Sequence, residues 1–338
     1  MTDWTHQARA ETFETPAFRF DNGEQLDLRL HFHTLGTRAA DGSNAVLLLH
    51  GTTGSGRQFL QPGMADALFD EGQPLDAGRH LIIMPDAIGH GWSSKPSDGL
   101  GPRFPRYSYG DIVRAQHLLV TQSFGLEHLR LVLGTSMGGM QTWMWGETHP
   151  VMMDALMPVA SLPERVTGRN LLMRRLMLEM IRTDPDYLAG KVAPRLGLAW
   201  NVFRLLVESP ARMAADLPDA AMADAHIRKV ASDAVATEDP NNVIWEFEAS
   251  QDYDPGPGLG RITAPLLAVN FADDDVNPAA LGGLVAAIRK VRRGRAVTLP
   301  TSPQSQGHQT LRVAAMWADL VRELLDAAPP RNRQEWEA

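Results

Sequence analysis

A serine flanked by glycines is the clearest chemical feature of this sequence. Ser136 lies within residues 134–139, Gly-Thr-Ser-Met-Gly-Gly, after an apolar run at 129–133 and before a helix-like stretch. A Gly-x-Ser-x-Gly segment between strand and helix is typical of a nucleophile elbow, whose sharp turn exposes the hydroxyl at the positive end of the helix. Side chains at Gly134 or Gly138 would crowd that turn. The alternative is a glycine-rich turn with a capping serine, but the strand–turn–helix context favours a nucleophile.

A serine hydroxyl needs a base to take its proton, and histidine usually serves. In the order serine, acid, histidine that the elbow predicts, the candidates are His226 and His308. His226 lies beside two basic residues in a helical stretch and is interpreted as a surface residue. His308 lies in a turn at 306–310, just after a predicted strand at 296–299. A loop at the carboxyl end of a strand is where the base is expected, so we predict His308.

The acid should follow the strand that precedes the histidine. Asp273, Asp274 and Asp275 come directly after an apolar run at 266–271. A buried carboxylate would hold the imidazole tautomer and stabilise the imidazolium. A carboxylate cluster that binds a metal is the alternative, but no histidine lies nearby in the sequence. Periodicity alone leaves the choice among the three aspartates open.

Two backbone amides are candidates for stabilising an oxyanion. One is the N–H of Met137, directly after the nucleophile; the other is that of Thr52, in the loop 50–56 after the strand at 45–49. As a phosphate-binding loop, 50–56 lacks the lysine after its glycines. His50 precedes the serine in the chain and is interpreted as structural.

The elements that must position these side chains alternate between strand and helix. A hairpin signal at 21–24 separates strands at 18–20 and 26–35, and helical stretches connect the later strands. This alternation predicts an α/β fold, with a mostly parallel central sheet flanked by helices and a site at the carboxyl ends of its strands. The later strands are predicted at 45–49, 80–84, 129–133, 155–160, 266–271 and 296–299, and helices at 110–124, 140–147 and 311–327.

One long stretch interrupts the alternation. Residues 162–245 are rich in Met, Arg and Ala and contain no convincing strand. We interpret them as a helical cap inserted into one discontinuous domain, formed by residues 1–161 and 246–330. Residues 331–338 are predicted to be a polar tail.

Composition excludes several classes of protein. The 338 residues are 44% hydrophobic and 21% charged, as in a globular protein, and include no cysteine, which excludes disulfides and cysteine nucleophiles. A net charge of −8 argues against general nucleic-acid binding. No apolar run approaches a membrane span, and residues 1–20 lack the apolar core of a signal peptide. A cytoplasmic location is the default expectation, although a mature chain stripped of its leader would look the same.

Together these motifs make the chain resemble the alpha/beta-hydrolase superfamily over nearly its whole length. The resemblance rests on the elbow, the Asp274 region, His50-Gly51, residues 85–91 and Gly307-His308. More narrowly, the chain is similar to the homoserine O-acetyltransferase-like branch in residues 134–141 with Trp145, 94–100, 104–105, 111–116, 169–170 and 174–175.

The resemblance also implies which aspartate is the acid, and where the chain departs from the branch. The branch's acid lies four residues before the proline of an Asp-x-x-x-Pro motif, which here implies Asp274 with Pro278. In the true homoserine acyltransferases, a Gly-Leu-containing cap segment with Arg and Tyr residues helps to grip the amino-acid substrate. Residues 197–201 match that segment only loosely, and its Tyr-Arg portion is missing.

The predicted function is a serine hydrolase that acts on an ester or amide of a small molecule. It would use a Ser136–His308–Asp274 triad, an acyl-enzyme intermediate and the amides of Thr52 and Met137. One alternative is an O-acyltransferase of the homoserine O-acetyltransferase type, with acetyl-CoA as co-substrate. A second is a small-ligand-binding protein of the same fold without turnover. No metal or organic cofactor is expected, the partner is a small acyl substrate, and a homodimer is left open.

Overall fold

Eight strands form one sheet in the computed structural model, which describes residues 3–331. The strands are β1 (Arg9–Arg19), β2 (Gln25–Leu35), β3 (Ala45–Leu49), β4 (Leu81–Pro85), β5 (Leu131–Thr135), β6 (Leu156–Val159), β7 (Leu266–Phe271) and β8 (Gly294–Leu299). Their order across the sheet is β1-β2-β4-β3-β5-β6-β7-β8. Only β2 runs against the others within the described residues, since every pairing outside β1–β2 and β2–β4 is parallel. The predicted mostly parallel sheet is confirmed.

The central strands are apolar on both faces because helices cover both faces of the sheet. Neighbouring residues of β3 belong to opposite clusters: Val46 and Leu48 pack on one side, Leu47 and Leu49 on the other. Since side chains alternate along a strand, a fully apolar run is what a two-sided parallel sheet requires.

Twelve helices surround the sheet in the described part of the chain. The helices closest to the two chain termini pack on the face of the sheet that carries Val46 and Leu48. Helices from the middle of the chain pack on the opposite face, which carries Leu47 and Leu49. The twelve helices are α1 (Trp4–Gln7), α2 (Pro62–Phe69), α3 (Tyr109–Leu118), α4 (Met137–Thr148), α5 (Gly168–Arg182), α6 (Pro185–Leu188), α7 (Arg195–Val207), α8 (Pro210–Asp216), α9 (Ala220–Thr237), α10 (Pro240–Glu248), α11 (Gly283–Ile288) and α12 (Ala318–Ala327).

Helices α5 to α10 form the helical insertion, a continuous stretch between β6 and β7 that contains no strand among the described residues. Within it, α7 packs against both α5 and α9. The boundary predicted at 245 falls inside α10, which continues to Glu248. Most of the polar tail predicted at 331–338 lies outside the described residues, which end at Arg331.

The first strand is longer than predicted. It begins at Arg9 rather than at Phe18 and is largely exposed along its length. An edge strand that buries few side chains needs no regular apolar alternation, and it tolerates Pro16 because the missing N–H breaks no pairing that the sheet requires. A register irregularity between Thr15 and Phe18 accommodates the proline.

The closing helix is shorter than the 311–327 predicted. The chain makes two short 3₁₀ turns, Gln309–Arg312 and Ala314–Met316, before α12 begins. The backbone leaves helical geometry at Val313 (ψ 72°) and Trp317 (φ −135°), and the buried Trp317 indole donates to the carbonyl of Leu311. No helix within residues 3–331 is long and apolar enough to cross a bilayer.

Candidate active site

Ser136 lies at the sharp turn between β5 and α4. Its backbone has φ 53° and ψ −113°, a conformation that is strained for a residue with a side chain. The neighbouring strand holds the turn, since the Ser136 N–H donates to the Val159 carbonyl at 2.9 Å. The Ser136 carbonyl accepts from the Met140 N–H at 2.9 Å, which starts the helix. Strain of this kind persists only where the surroundings over-determine the backbone.

The glycines on either side are required by close backbone contact, as predicted. A Cβ at Gly134 would lie 2.1 Å from the Gly138 carbonyl oxygen, and one at Gly138 would lie 2.0 Å from the Leu49 carbonyl oxygen. Both neighbours are backbone atoms and cannot rotate away. The turn therefore brings α4 against β3 at a distance that only glycine allows.

Gly138→Ala is expected to lower the free energy of unfolding by about 1–3 kcal/mol, because the added methyl group forces α4 away from β3. Urea denaturation followed by circular dichroism measures the change. Gly260→Ala is the matched control, because nothing lies within 4 Å of a Cβ placed there. Equal stability of the two variants would contradict the close packing of the elbow.

His308 connects the serine to an acid. Its Nε2 lies 2.8 Å from the Ser136 Oγ, and its Nδ1 lies 2.8 Å from the Asp274 Oδ2. The histidine follows Gly307, whose φ of 63° suits glycine and whose Cβ position lies 2.7 Å from the Ser209 N of the helical insertion. The three predicted side chains thus form one hydrogen-bonded line.

Among the three aspartates, only Asp274 contacts the histidine. It is 2% exposed, and its Oδ1 accepts from the N–H groups of Val276 and Asn277. Burial raises the pKa of Asp274, but His308 and the hydrogen bonds of Asn277 outweigh it, so the pKa stays below its ordinary value. The carboxylate is therefore ionised at neutral pH.

The two neighbouring carboxylates have other partners. The Asp273 Oδ2 accepts from the Gly307 N–H at 2.8 Å and so helps to hold the histidine loop. Asp275 pairs with Arg169 at 3.0 Å.

The loop that carries Thr52 is held by two side chains to which the sequence analysis assigned no role. The Gln58 Oε1 accepts from the Gly51 N–H at 3.3 Å, and the Gln58 Nε2 donates to the Thr135 Oγ1 at 2.8 Å. The His90 Nε2 lies 2.8 Å from the Thr52 carbonyl oxygen. Burial, helped by neighbouring His50, lowers the pKa of His90 to about 3, so the ring is neutral at neutral pH. This part of the loop is fixed from two sides.

The two backbone amides predicted to stabilise an oxyanion are those of Thr52 and Met137. Within residues 3–331, neither N–H donates a hydrogen bond to a protein group. Thr52 is buried and lines the same cleft as Ser136, and Met137 is the first residue of α4. Amides without a protein partner beside the serine are the kind of donor that can stabilise a developing negative charge.

The other two histidines considered from the sequence lie outside the hydrogen-bonded line. The buried His50 has its Nε2 accepting from the Ala87 N–H at 3.0 Å and its Nδ1 2.8 Å from the Gly51 carbonyl oxygen. His226 is half-buried on α9 rather than fully exposed, and it is not among the residues lining the cleft.

A small cleft surrounds Ser136 and His308. The loop that carries Thr52 forms one side of it, and α5 and α7 of the helical insertion form another. The insertion contributes Asn170, Met173, Arg174, Phe203 and Val207. From the sequence, Met173 suits either a helical core or a pocket wall, with core favoured, while Asn170 and Arg174 entered only through the family resemblance.

One group of side chains in the described residues has the composition of a metal site. His31, His33 and Asp86 place possible ligand atoms within 4.8 Å of one another. They are not among the residues that line the cleft. Asp86 already accepts from the amides of Gly56 and Trp92 and contacts His31 at 2.8 Å. That carboxylate therefore serves to hold the loops around it.

Comparison with known sequences gives a consistent result. A family model described as the alpha/beta hydrolase fold matches residues 44–287. A homoserine O-acetyltransferase of Chlorobaculum parvum is 30% identical over 293 residues, which cover 76% of this chain and 78% of that protein. With several other curated homoserine acyltransferases the chain spans only about half of the relative's length.

Comparison with solved structures supports the same fold. A homoserine O-acetyltransferase from Bacillus anthracis superposes with a TM-score of 0.84 at 18% identity, covering 96% of this chain and 99% of that one. An acetylester hydrolase from Corynebacterium glutamicum superposes with a TM-score of 0.82 at 20% identity, covering 94% and 96%. At these identities the likeness establishes the fold.

Proposed function

The chain belongs to the alpha/beta-hydrolase family, in its homoserine O-acetyltransferase-like branch, and from that premise we propose that it is a serine hydrolase cleaving small-molecule esters or amides. Members of this family are hydrolases or acyltransferases, and the chain is an enzyme of one of these two kinds. The observation that carries the proposal is the pair of 2.8 Å contacts from His308, one to the Ser136 hydroxyl and one to the Asp274 carboxylate.

The proposed reaction proceeds through an acyl-enzyme. As the Ser136 Oγ attacks the acyl carbonyl carbon, the His308 Nε2 takes the hydroxyl proton and the carbonyl oxygen becomes an oxyanion between the Thr52 and Met137 amides. His308 then gives its proton to the departing alcohol or amine. Asp274 holds the Nδ1–H and stabilises the imidazolium. Water, deprotonated by His308, then attacks the acyl-serine carbonyl. The bond between the acyl carbon and the Ser136 Oγ breaks, His308 returns the proton to that Oγ, and the carboxylic acid leaves.

We propose that the helical insertion acts as a cap over this reaction. Helices α5 and α7 supply side chains to the cleft wall, so the insertion shapes the space beside the nucleophile. A cap that shields the acyl-enzyme from water would favour transfer, and one that admits water would favour hydrolysis. The difference between the two family activities would therefore depend on this segment.

Acyl transfer to an alcohol is the second candidate, favoured by the 30% identity to a homoserine O-acetyltransferase over most of both chains. Acetyl-CoA would then be the acyl donor. The segment 197–201, however, has a structural explanation of its own. A Cβ at Gly197 would lie 2.7 Å from the Ala231 Cα, so this glycine is required where α7 packs on α9.

Two assays distinguish the candidates. With a chromogenic acetyl ester, wild type should release either a burst of one chromophore per enzyme or chromophore at a steady rate, and Ser136→Ala should release none. If wild type also shows no burst and no steady release, the protein binds ligands without turnover. Acetyl-CoA with homoserine should yield no O-acetylhomoserine if the protein is a hydrolase. If O-acetylhomoserine forms faster than acetyl-CoA is hydrolysed, the protein is a transferase.

Gln58→Leu is expected to lower kcat about tenfold with little change in KM. The substitution removes both hydrogen bonds that tie the Thr52 loop to the strand before Ser136, so the oxyanion amide is less well placed. Gln61→Leu is the control, because the exposed Gln61 only reaches the nearby Arg57 carbonyl. An unchanged kcat in Gln58→Leu would mean that the loop is fixed without this side chain.

A further inference from the structure

Arg174 is a buried cation without a carboxylate partner. It lies on α5 and is 7% exposed. Its Nε donates to the Asn170 Oδ1 at 3.0 Å and its Nη1 to the Ser250 Oγ at 3.1 Å, both neutral acceptors. Among residues 3–331, no carboxylate oxygen lies within 4.0 Å of it, whereas Arg182 on the same helix pairs with Glu248. A buried charge is expensive unless an opposite charge compensates it.

Arg174 faces the space in which the chemistry is proposed. It lines the same cleft as Ser136 and His308. Its Nη2 makes no hydrogen bond with any group in the described part of the chain, so one edge of the guanidinium can still donate. The two hydrogen bonds that it does make fix the plane of the guanidinium before any ligand arrives, which lowers the entropy lost on binding.

The cleft as a whole is cationic. The charged residues that line it are Arg174 and Arg312, and no Asp or Glu is among the described residues that do so. Asp274 contacts the Nδ1 edge of His308, the side of the ring opposite Ser136. Two acids near the cleft, Asp275 and Glu208, are paired with arginines of their own. The Arg174 guanidinium also lies over the Phe247 ring, 5.3 Å from its centroid, a contact that weakens but does not neutralise the charge. An anionic group entering the cleft would therefore meet positive charge that no carboxylate of the described residues neutralises.

We propose that Arg174 is an anion-binding residue for the substrate, and that the substrate is an ester or amide that carries a carboxylate. The inference rests on the proposed function in that it concerns the same cleft. The carboxylate could belong to the acyl group, as in a half-ester of a dicarboxylic acid, or to the alcohol, as in an ester of a hydroxy acid. A planar guanidinium with a donor edge exposed to the cleft recognises either one.

Three chromogenic or readily quantified esters separate these cases. They are p-nitrophenyl acetate, which is neutral; mono(p-nitrophenyl) succinate, with the charge on the acyl side; and p-acetoxybenzoate, with the charge on the alcohol side. In wild type we expect a higher kcat/KM for one anionic ester than for the neutral one. Arg174→Gln should reduce that preference about 10- to 100-fold, since one or two charge-assisted hydrogen bonds are lost.

Controls distinguish anion binding from a structural role. Arg175→Gln removes an exposed charge from the next position of α5 and should leave the preference unchanged. Arg174→Lys keeps the charge but not the planar fork and should restore part of the preference. Turnover of the neutral ester shows that each variant is folded, because a merely structural loss would lower activity on all three esters together.

Binding gives a readout that is independent of turnover. Monomethyl succinate and p-acetoxybenzoate, titrated calorimetrically in turn into Ser136→Ala, present the carboxylate on the acyl side and on the alcohol side. At least one should bind, and its binding should be lost in Ser136→Ala/Arg174→Gln but kept in Ser136→Ala/Arg175→Gln. Equal binding and equal ester preference with and without Arg174 would overturn the inference, while Ser136-dependent cleavage of the neutral ester would still support the proposed function. If no ester were cleaved, the proposed function would fail and the calorimetry alone would decide the inference.

Discussion

Ser136→Ala is expected to lower kcat/KM for a chromogenic acetyl ester on the order of 10⁴-fold or more, because the covalent route is lost with the hydroxyl. The loss should not come from unfolding. The only hydrogen bond of the Ser136 side chain within residues 3–331 is to the His308 Nε2. Alanine meets the positive φ of this position with the same penalty as serine. Steady-state kinetics measures the effect, and thermal unfolding of the variant shows whether the fold is kept.

Ser55→Ala is the matched control. Ser55 lies in the loop 50–56 that carries Thr52, and its side chain makes no capping hydrogen bond to the 3₁₀ turn that follows. Mass spectrometry of wild type quenched during turnover should detect the acyl group on a peptide that contains Ser136, and the Ser136→Ala protein should carry none. Full activity of Ser136→Ala toward every acyl ester would remove the serine from the mechanism.

Short apolar runs predicted the centre of the sheet accurately because of what a two-sided sheet demands. The bounds of β3 and β7 agree with the predicted 45–49 and 266–271. Such strands are buried on both faces, so each of their residues is apolar and the signal in the sequence is continuous. The strand–turn–helix context of Ser136 was readable for a similar reason, since the elbow needs small residues at fixed positions.

The edges of the molecule carried no such signal. β1 is stabilised by backbone pairing with β2 and buries few of its own side chains, so its composition resembles that of a loop. At residues 311–327 the sequence instead predicted more regular structure than the protein forms. Its apolar periodicity predicted one helix, but the buried Trp317 is placed by 3₁₀ turns instead. Hydrophobic spacing reports which residues are buried, and tertiary contacts decide the backbone that buries them.

Within the candidate site, some residues could likewise be predicted from the sequence and others could not. Serine and histidine were identifiable from motif and order, whereas three adjacent aspartates could not be separated by periodicity. Their roles depend on which carboxylate reaches the Nδ1 of His308, a property of the loop after β7. The burial of Arg174 without a carboxylate was equally invisible, because no local pattern shows which partner each nearby acid takes.

Asp274→Asn is expected to lower kcat about 10⁴-fold while leaving the cleft intact. The Asp274 Oδ1 accepts from the amides of Val276 and Asn277, and only an oxygen can fill that place. The amide nitrogen of an asparagine would therefore face the His308 Nδ1. Because it can only donate, it would force the ring to carry its proton on Nε2, where it can no longer accept the proton of Ser136. Single-turnover kinetics with a chromogenic ester measures the acylation rate directly.

Asp275→Asn tests whether proximity alone matters. Asp275 is the next residue, pairs with Arg169 and makes no contact with His308, so its substitution should change kcat less than about twofold. Asp273→Asn should also retain most activity, since the amide oxygen of asparagine can still accept from the Gly307 N–H. A large loss in Asp273→Asn together with a small one in Asp274→Asn would transfer the role of the acid to the neighbouring carboxylate. The loop after β7 would then have to turn by one residue in the active enzyme, which the hydrogen bonds to Val276 and Asn277 oppose.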